Sequence, residues 1–378
     1  MPLTREQICE QTSKKLNAAV GTLPSMEATI GLDGFVDEII AVVDKRTSTT
    51  DYSTVDTIGK FGSKIVAAAG ESSNYELIVK QSKLGGNGPI MANALASFGM
   101  AVTYIGSIGY PKPHAVFDDF GKRAKLIPLS EPGHTDAVEF SDGKLMLGKI
   151  ECLADVNWES IVKRVGLDAF TRLLDHSTLI STNNWTMLQH MTEIWTKILT
   201  EVLPKISMKE RLFFIDLADP EKRTHADILL ALQTMEKLQG RVNVILGLNL
   251  KESGAIVDVL GLPAAANPEA AIEFTAQAIR EKLNLQCVVI HPRKGAAAAT
   301  KEGTAKFLGP FVAQPKISTG AGDHFNAGFC LGRTLGFNLE ESLCCGVATS
   351  GYYVRSANSP SGKELADFIA ELPPPQAE

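Results

Sequence analysis

Residues 318–328 read Ser-Thr-Gly-Ala-Gly-Asp-His-Phe-Asn-Ala-Gly. Gly320, Ala321 and Gly322 leave the backbone bare just before an apolar, helix-compatible run that contains Phe325, Ala327, Phe329 and Cys330. Amides at a helix start, backed by the helix dipole, hold an anion. Ser318 and Thr319 add hydroxyl donors. A carboxylate beside an anion is costly unless it acts on something there, and Asp323 suits a general base that takes a proton from an attacking hydroxyl. An N-terminal helix cap uses the same residue types. Gly-Ala-Gly-Asp alone favours that cap; the whole run from Ser318 to Phe329 is far more specific.

Three other constellations bear on the same chemistry. Asp33 and Asp37, in Gly-Leu-Asp-Gly-Phe-Val-Asp-Glu-Ile (31–39), supply carboxylates that accept paired hydrogen bonds from neighbouring sugar hydroxyls; both also read as solvated loop acids, and the acid–apolar pattern after Asp37 favours it narrowly, with Asp33 kept beside it. Gly85 and Gly86 let a ligand approach the backbone, and Asn87 can bond hydroxyls in both directions; a tight strand-to-helix turn is the plainer account. Asn249 and Glu252, spaced i, i+3, share one face of a helix's first turn. An amide and a carboxylate there can hold hydrated Mg²⁺, which prefers oxygen ligands and keeps its waters. They also spell a capping box.

The elements that must carry these residues alternate. Apolar strand-like runs at 28–35, 101–109, 177–182, 211–216, 242–248 and 287–291 are separated by helix-period segments such as 89–100 and 187–203. That rhythm predicts a mostly parallel sheet covered on both faces, with ligands at the strands' C-terminal ends. Two regions break it: 37–46 reads as a further strand, and 135–150 as a hairpin turning at Asp142-Gly143. They predict a small β-sheet standing off the main layer, either a lid over the strand ends or an edge decoration. Residues 47–82, polar and then helical, read as an insertion without an assigned role. The tail Leu-Pro-Pro-Pro-Gln-Ala-Glu reads as loose.

Composition narrows the function classes. The 378 residues are 44% hydrophobic and 21% charged, with net charge −6 and no basic run, which argues against nucleic acid as a partner. No apolar stretch approaches the ~20 residues of a membrane span, and the N-terminus lacks a signal-peptide core. The six cysteines form no C-x-x-C pair; they read as buried small residues of a reducing, cytoplasmic compartment. No P-loop is present, and the first strand is not followed by a dinucleotide-binding glycine fingerprint.

The 318–329 run resembles the C-terminal signature D-T-x-G-A-G-D-x-F of the ribokinase-like (PfkB) carbohydrate kinases. The resemblance, in family order along residues 28–360, implies a ribokinase-like three-layer α/β/α sandwich with a mostly parallel sheet. It reads as one kinase domain over 1–378, with the lid formed by about 37–46 and 135–150. It implies an anion hole at Gly320, Ala321 and Gly322 for the transferred phosphate, and Asp323 as catalytic base. The 82–99 stretch is similar to the family's sugar-binding Gly-Gly motif, although Pro89 and Ile90 stand where an Asn is usual; Asn93 either takes its place or leaves it unfilled. Asn249 and Glu252 match an N-x-x-E motif for magnesium and phosphate. Lys294 and Gly295 remain of a nucleotide-binding turn, and Asp216, Asp219 and Arg223 of a supporting strand end. Ile317 replaces the signature's first Asp, which in many members belongs to a monovalent-cation site, so the resemblance gives no ground for potassium activation. The implied reaction uses ATP and Mg²⁺ to phosphorylate a primary hydroxyl of a small neutral sugar. The alternatives are a nucleoside acceptor, stacked on Phe35, Tyr52 or Phe140, and a non-catalytic binding homologue. Exposed lid-strand edges offer a route to a homodimer.

Overall fold

Strands form where the apolar runs fall. In chain order they are β1 (Glu27–Leu32), β2 (Phe35–Arg46), β3 (Tyr52–Thr54), β4 (Leu77–Gly85), β5 (Ala101–Gly106), β6 (Lys125–Pro128) and β7 (Gly133–Phe140). Then come β8 (Gly143–Lys149), β9 (Leu179–Thr182), β10 (Leu212–Asp216), β11 (Asn243–Leu248), β12 (Cys287–Ile290), β13 (Gly295–Thr300) and β14 (Gly303–Leu308). The structure, a computed structural model, describes residues 3–376; the last two residues of the tail expected to be loose lie outside them.

The main sheet has nine strands in the order β14-β13-β12-β11-β10-β9-β1-β5-β6. Every pairing from β12 to β6 is parallel, and β13 and β14 return antiparallel at one edge. β9 and β12 are buried at every position, as strands covered on both faces must be. Side-chain alternation divides two cores between those faces. Phe213 points to one, with Trp185 and Trp195; Phe214 points to the other, with Tyr104 and Phe325. Each such ring contributes roughly 1.5–3 kcal/mol by leaving water. β6, a short edge strand, carries too few apolar residues to announce itself in the sequence.

The second sheet holds five strands. Its central strand β2 pairs with β3 and β4 antiparallel and with β7 parallel, and β7 turns into β8 at Asp142-Gly143. The expected strand at 37–46 and hairpin at 135–150 are therefore present. The expected helical end of 47–82 is not. A helix does occupy Ile58–Ala67, but β4 follows it and pairs with β2 from Phe35↔Gly85 to Val42↔Leu77. The Leu77-Ile78-Val79 run suits a half-buried pleated surface, and β2 offers it a partner. This sheet has a core of its own, in which Phe61 packs on Tyr75 and Phe140.

The tail also departs from expectation. Arg5 Nη2 donates to Pro373 O at 2.8 Å, and Phe311 N donates to Pro374 O at 3.0 Å, so residues 373 and 374 are fastened to the body. Among the described residues, no helix is long and apolar enough to cross a membrane.

Candidate active site

Three helix starts meet here: Asn87–Phe98 follows β4 of the second sheet, Leu250–Val259 follows the parallel strand β11, and Ala321–Thr334 follows β14 and a loop. Asp323 stands in the first turn of the last, buried, and Asn87 Nδ2 donates to its Oδ1 at 3.0 Å. Burial pushes its carboxyl up to about 8, aided by the charges of Asp33 and Glu252 and opposed by the Asn87 amide. Gly320, the N-cap, has φ +88°, a left-handed conformation that favours glycine.

The two candidate sugar-binding acids have different surroundings. Asp33 is fully buried and surrounded by donors. Its Oδ2 accepts from Asn87 N and Asn184 Nδ2, each at 3.0 Å, and its Oδ1 from Gly88 N at 2.9 Å. Tyr104 Oη donates to the Asp33 carbonyl at 2.5 Å. Burial raises the Asp33 carboxyl to about 6 against all four of these neighbours. Asp33 thus ties the end of β1 to the Gly85-Gly86-Asn87 turn. Asp37, on β2, is buried with far fewer donors; burial raises its pKa against Thr135, Lys83 and Lys144. It lies directly over Gly85: a Cβ there would come within 2.4 Å of the Asp37 carboxylate. Gly85→Ala is expected to displace Asp37 and raise the sugar KM at least tenfold while the ATP KM holds, measured by steady-state kinetics with each substrate varied.

Asn249 and Glu252 make the capping box in full. Glu252 N donates to Asn249 Oδ1 at 2.9 Å, and Asn249 N to Glu252 Oε2 at 2.8 Å. The remaining oxygen of Glu252 accepts from Asp219 N at 3.0 Å. Asp219 and Ala218 both adopt left-handed backbone just past β10, a strained turn of the kind found beside functional sites. Asp216 ends β10, buried, and Asn326 Nδ2 donates to it at 2.9 Å. Its pKa lies well above the carboxylate range because of burial, then the charges of Glu252 and Asp323. Burial likewise raises Glu252. The charges of Glu252 and Asp323 act on Asp216 and that of Glu252 on Asp323, with no lysine or arginine among the main influences on Asp216 or Asp323.

A cleft of about 1100 Å³, large enough for a nucleotide, lies between the turn that joins β12 to β13, the loop after β14 and the start of the Ala321–Thr334 helix. It brings together Asn249, Lys294, Gly295, Ser318, Ala321 and Gly322. Burial lowers His291 to about 4, so it forms a neutral wall stacked on Phe325 at 4.7 Å; Arg293 and Lys294 supply the positive charge at the mouth. From the second sheet, Lys144 of β8 bonds Thr319 Oγ1.

Asn93 Oδ1 accepts from Arg123 Nη2 at 2.6 Å, and its Nδ2 approaches Ser359 Oγ at 3.5 Å; its bonds do not run to Asp33 or Asp37. Asn184 was not legible as a site residue beforehand; the Asn183-Asn184 pair closing an apolar strand was the available signal. Asp216 carries more of the site than its supporting place in the sequence suggested, and Asn326 lies i+3 from Asp323, on the same helix face.

Comparison with known proteins agrees with this geometry. A model of the prokaryotic ketohexokinase family matches residues 6–372. The ketohexokinase of Haloferax volcanii is 29% identical over 344 residues, 90% of each chain. Among solved structures, the ribokinase of Thermotoga maritima superposes with TM-score 0.62 at 16% identity, over 92% of this chain and 99% of its own. The ribokinase of Arabidopsis thaliana, solved with ribose and ATP, gives TM-score 0.60 at 15% identity, over 92% and 98%. With a family match that spans nearly the whole chain, and a ribokinase-like sheet whose strand ends gather a glycine turn, a buried acid and a nucleotide-sized cleft, the chain belongs to the prokaryotic ketohexokinase family and is a carbohydrate kinase.

Proposed function

We propose that this enzyme transfers the γ-phosphoryl group of ATP to a primary hydroxyl of a ketohexose, with Asp323 as general base. The observation that carries the reading is the position of Asp323: buried, bonded to Asn87 of the glycine turn, and one residue from Gly322 in the wall of the nucleotide-sized cleft. It is thus shared between a sugar side and a nucleotide side. Asp37 and Asn87 accept and donate to the sugar's hydroxyls, and Asp33 holds Asn87 in place. The acceptor hydroxyl gives its proton to Asp323 as its oxygen bonds to phosphorus, and the ADP oxygen leaves from the opposite side. The N–H groups of Gly320, Gly322 and Asp323 stabilise charge on the transferred phosphoryl, an effect strongest where water is excluded.

Among the described residues no group of three or more His, Cys, Asp or Glu side chains is placed to ligate a metal directly; Asn249 and Glu252 would hold a Mg²⁺ ion through its waters, Glu252 spending only one bond on each carboxylate oxygen. When bound, the ion would neutralise charge on the ATP phosphates.

The second sheet, β2–β4 with β7 and β8, acts in this reading as a lid within a single kinase unit, and the Lys144–Thr319 contact supports that role. Edge strands such as β8 leave a route to a homodimer. A nucleoside acceptor gains no support from the three aromatic candidates. Phe35 sits in the core, Phe140 packs on Phe61, and Tyr52 lies between Arg46 and Lys80.

The test is ATP-to-ADP turnover with Mg²⁺ against ketohexoses, aldoses, sugar acids, sugar phosphates and nucleosides, with Asp323→Asn as control. Turnover on a ketohexose that vanishes in the control is expected. Turnover on a nucleoside alone would overturn the acceptor, and ATP binding without turnover on any acceptor would favour a binding protein.

A further inference from the structure

His324 follows the acid directly, is buried, and has no part in the chemistry above. Its Nδ1 lies 2.7 Å from Gly320 O and its Nε2 2.9 Å from Ser359 Oγ. A carbonyl only accepts, so Nδ1 carries the proton and Nε2 accepts from the Ser359 hydroxyl. Burial lowers the imidazole to about 4, so this single tautomer holds at neutral pH. The ring lies flat on Tyr353, with centroids 3.6 Å apart and planes at 13°. Tyr353 Oη donates to Thr319 O at 3.0 Å. One stacked aromatic pair therefore holds two successive carbonyls of the turn that leads into the Ala321–Thr334 helix.

The consequence follows from the planar trans peptide, in which C=O and the next N–H point in opposite directions. With Thr319 O drawn to Tyr353, the Gly320 N–H faces away from Tyr353. Gly320 O takes the helix's first bond from His324 N at 3.1 Å as well as the imidazole proton, and Ala321 N is spent on Ser318 O at 3.2 Å. Glycine at φ +88° has wide conformational freedom, so nothing in its own side chain fixes these planes.

We propose that His324 and Tyr353 are positioning residues, a clamp that fixes the peptide planes of 319–321 and so aims the Gly320 N–H of the anion hole at the transferred phosphoryl group. The inference rests on the reading of 318–323 as that hole.

Tyr353→Phe and His324→Phe keep the aromatic stack and remove only the polar ties. Each is expected to lower kcat about tenfold, less than the loss of a whole oxyanion donor. Each should weaken ADP–aluminium fluoride binding, measured calorimetrically with Mg²⁺, by a similar factor, with affinities for ADP and the sugar unchanged. His324→Asn, whose amide can still donate to Gly320 O, should regain most of both losses. Unchanged kcat and unchanged ADP–aluminium fluoride affinity in both Phe variants would overturn the clamp. So would a loss that is equal for ADP and ADP–aluminium fluoride and follows Tm, the signature of a general packing role. Asp323→Asn measured alongside separates the two readings: normal turnover there removes the base and leaves the clamp to be judged by the fluoride complex.

Discussion

Asp323→Asn lowers kcat by about 10²–10⁴-fold, the usual contribution of a positioned general base, while the sugar still binds. The amide preserves shape and can still meet Asn87, but it has no lone pair basic enough to take the acceptor's proton. The pH profile should change with it. In the wild type, kcat/KM reports the free enzyme, and Asp323 must be ionised to act. Its carboxyl, pushed up to about 8 by burial with Asp33 and Glu252 nearby, predicts that kcat/KM rises with pH up to about 8 and then levels. The residual activity of the Asn variant should lack that limb. A wild-type limb ending near pH 4 would mean that burial does not hold the Asp323 carboxyl up in the free enzyme.

The same substitution should stabilise the fold. A carboxyl whose folded pKa of about 8 lies above the unfolded value near 3.8 contributes stability that is full below pH 3.8 and lost as pH rises through 8. Above pH 8 the wild type carries the whole cost of a buried charge, and the Asn variant carries none. The difference in Tm should therefore widen from pH 4 to pH 8 and then hold constant, as scanning calorimetry would record. A variant less stable than wild type at pH 8 would mean that the Asn87 contact outweighs the buried charge.

What the sequence made legible followed from local patterning, and what it hid followed from long-range pairing. The apolar runs that became β10, β11 and β12 are continuous because both their faces are covered, so they were plain. β4 was not, because its place depends on β2 some forty residues earlier, and its own alternation is imperfect. The Gly320–Asp323 turn could be read because small residues, an acid and a helix start lie in one stretch. Asn184 could not, since its partner Asp33 is 151 residues away in the chain. Asn249 and Glu252 show the limit in another way. Their spacing suits a capping box and a magnesium-holding pair equally, and the fold builds the box while leaving the carboxylate beside Asp216 and Asp219.

The second large effect separates two acids that the sequence treats alike. Asp33→Asn should impair folding, and Asp37→Asn should impair only sugar binding. Around Asp33 the near neighbours donate: two backbone N–H groups and the Asn184 amide, with the Tyr104 hydroxyl already committed to the Asp33 carbonyl. An amide in that place must turn its NH₂ toward at least one of them. The less harmful orientation faces Gly88 N and leaves one buried donor unpaired, at about 1–3 kcal/mol; the other leaves two. The turn that carries Asn87 then loosens, so Tm and sugar affinity fall together. Asp37 has no such ring of donors, and its raised pKa marks a carboxylate held against burial. Its replacement should leave Tm equal or higher. Losing a charged acceptor for sugar hydroxyls, worth about 1.5–3 kcal/mol, should raise the sugar KM roughly 10–150-fold with the ATP KM unchanged. Thermal melts and two-substrate kinetics on both variants decide the matter. If Asp33→Asn melts normally and loses only sugar affinity, Asp33 is the sugar's acceptor, and the structural role passes to the backbone amides it now holds.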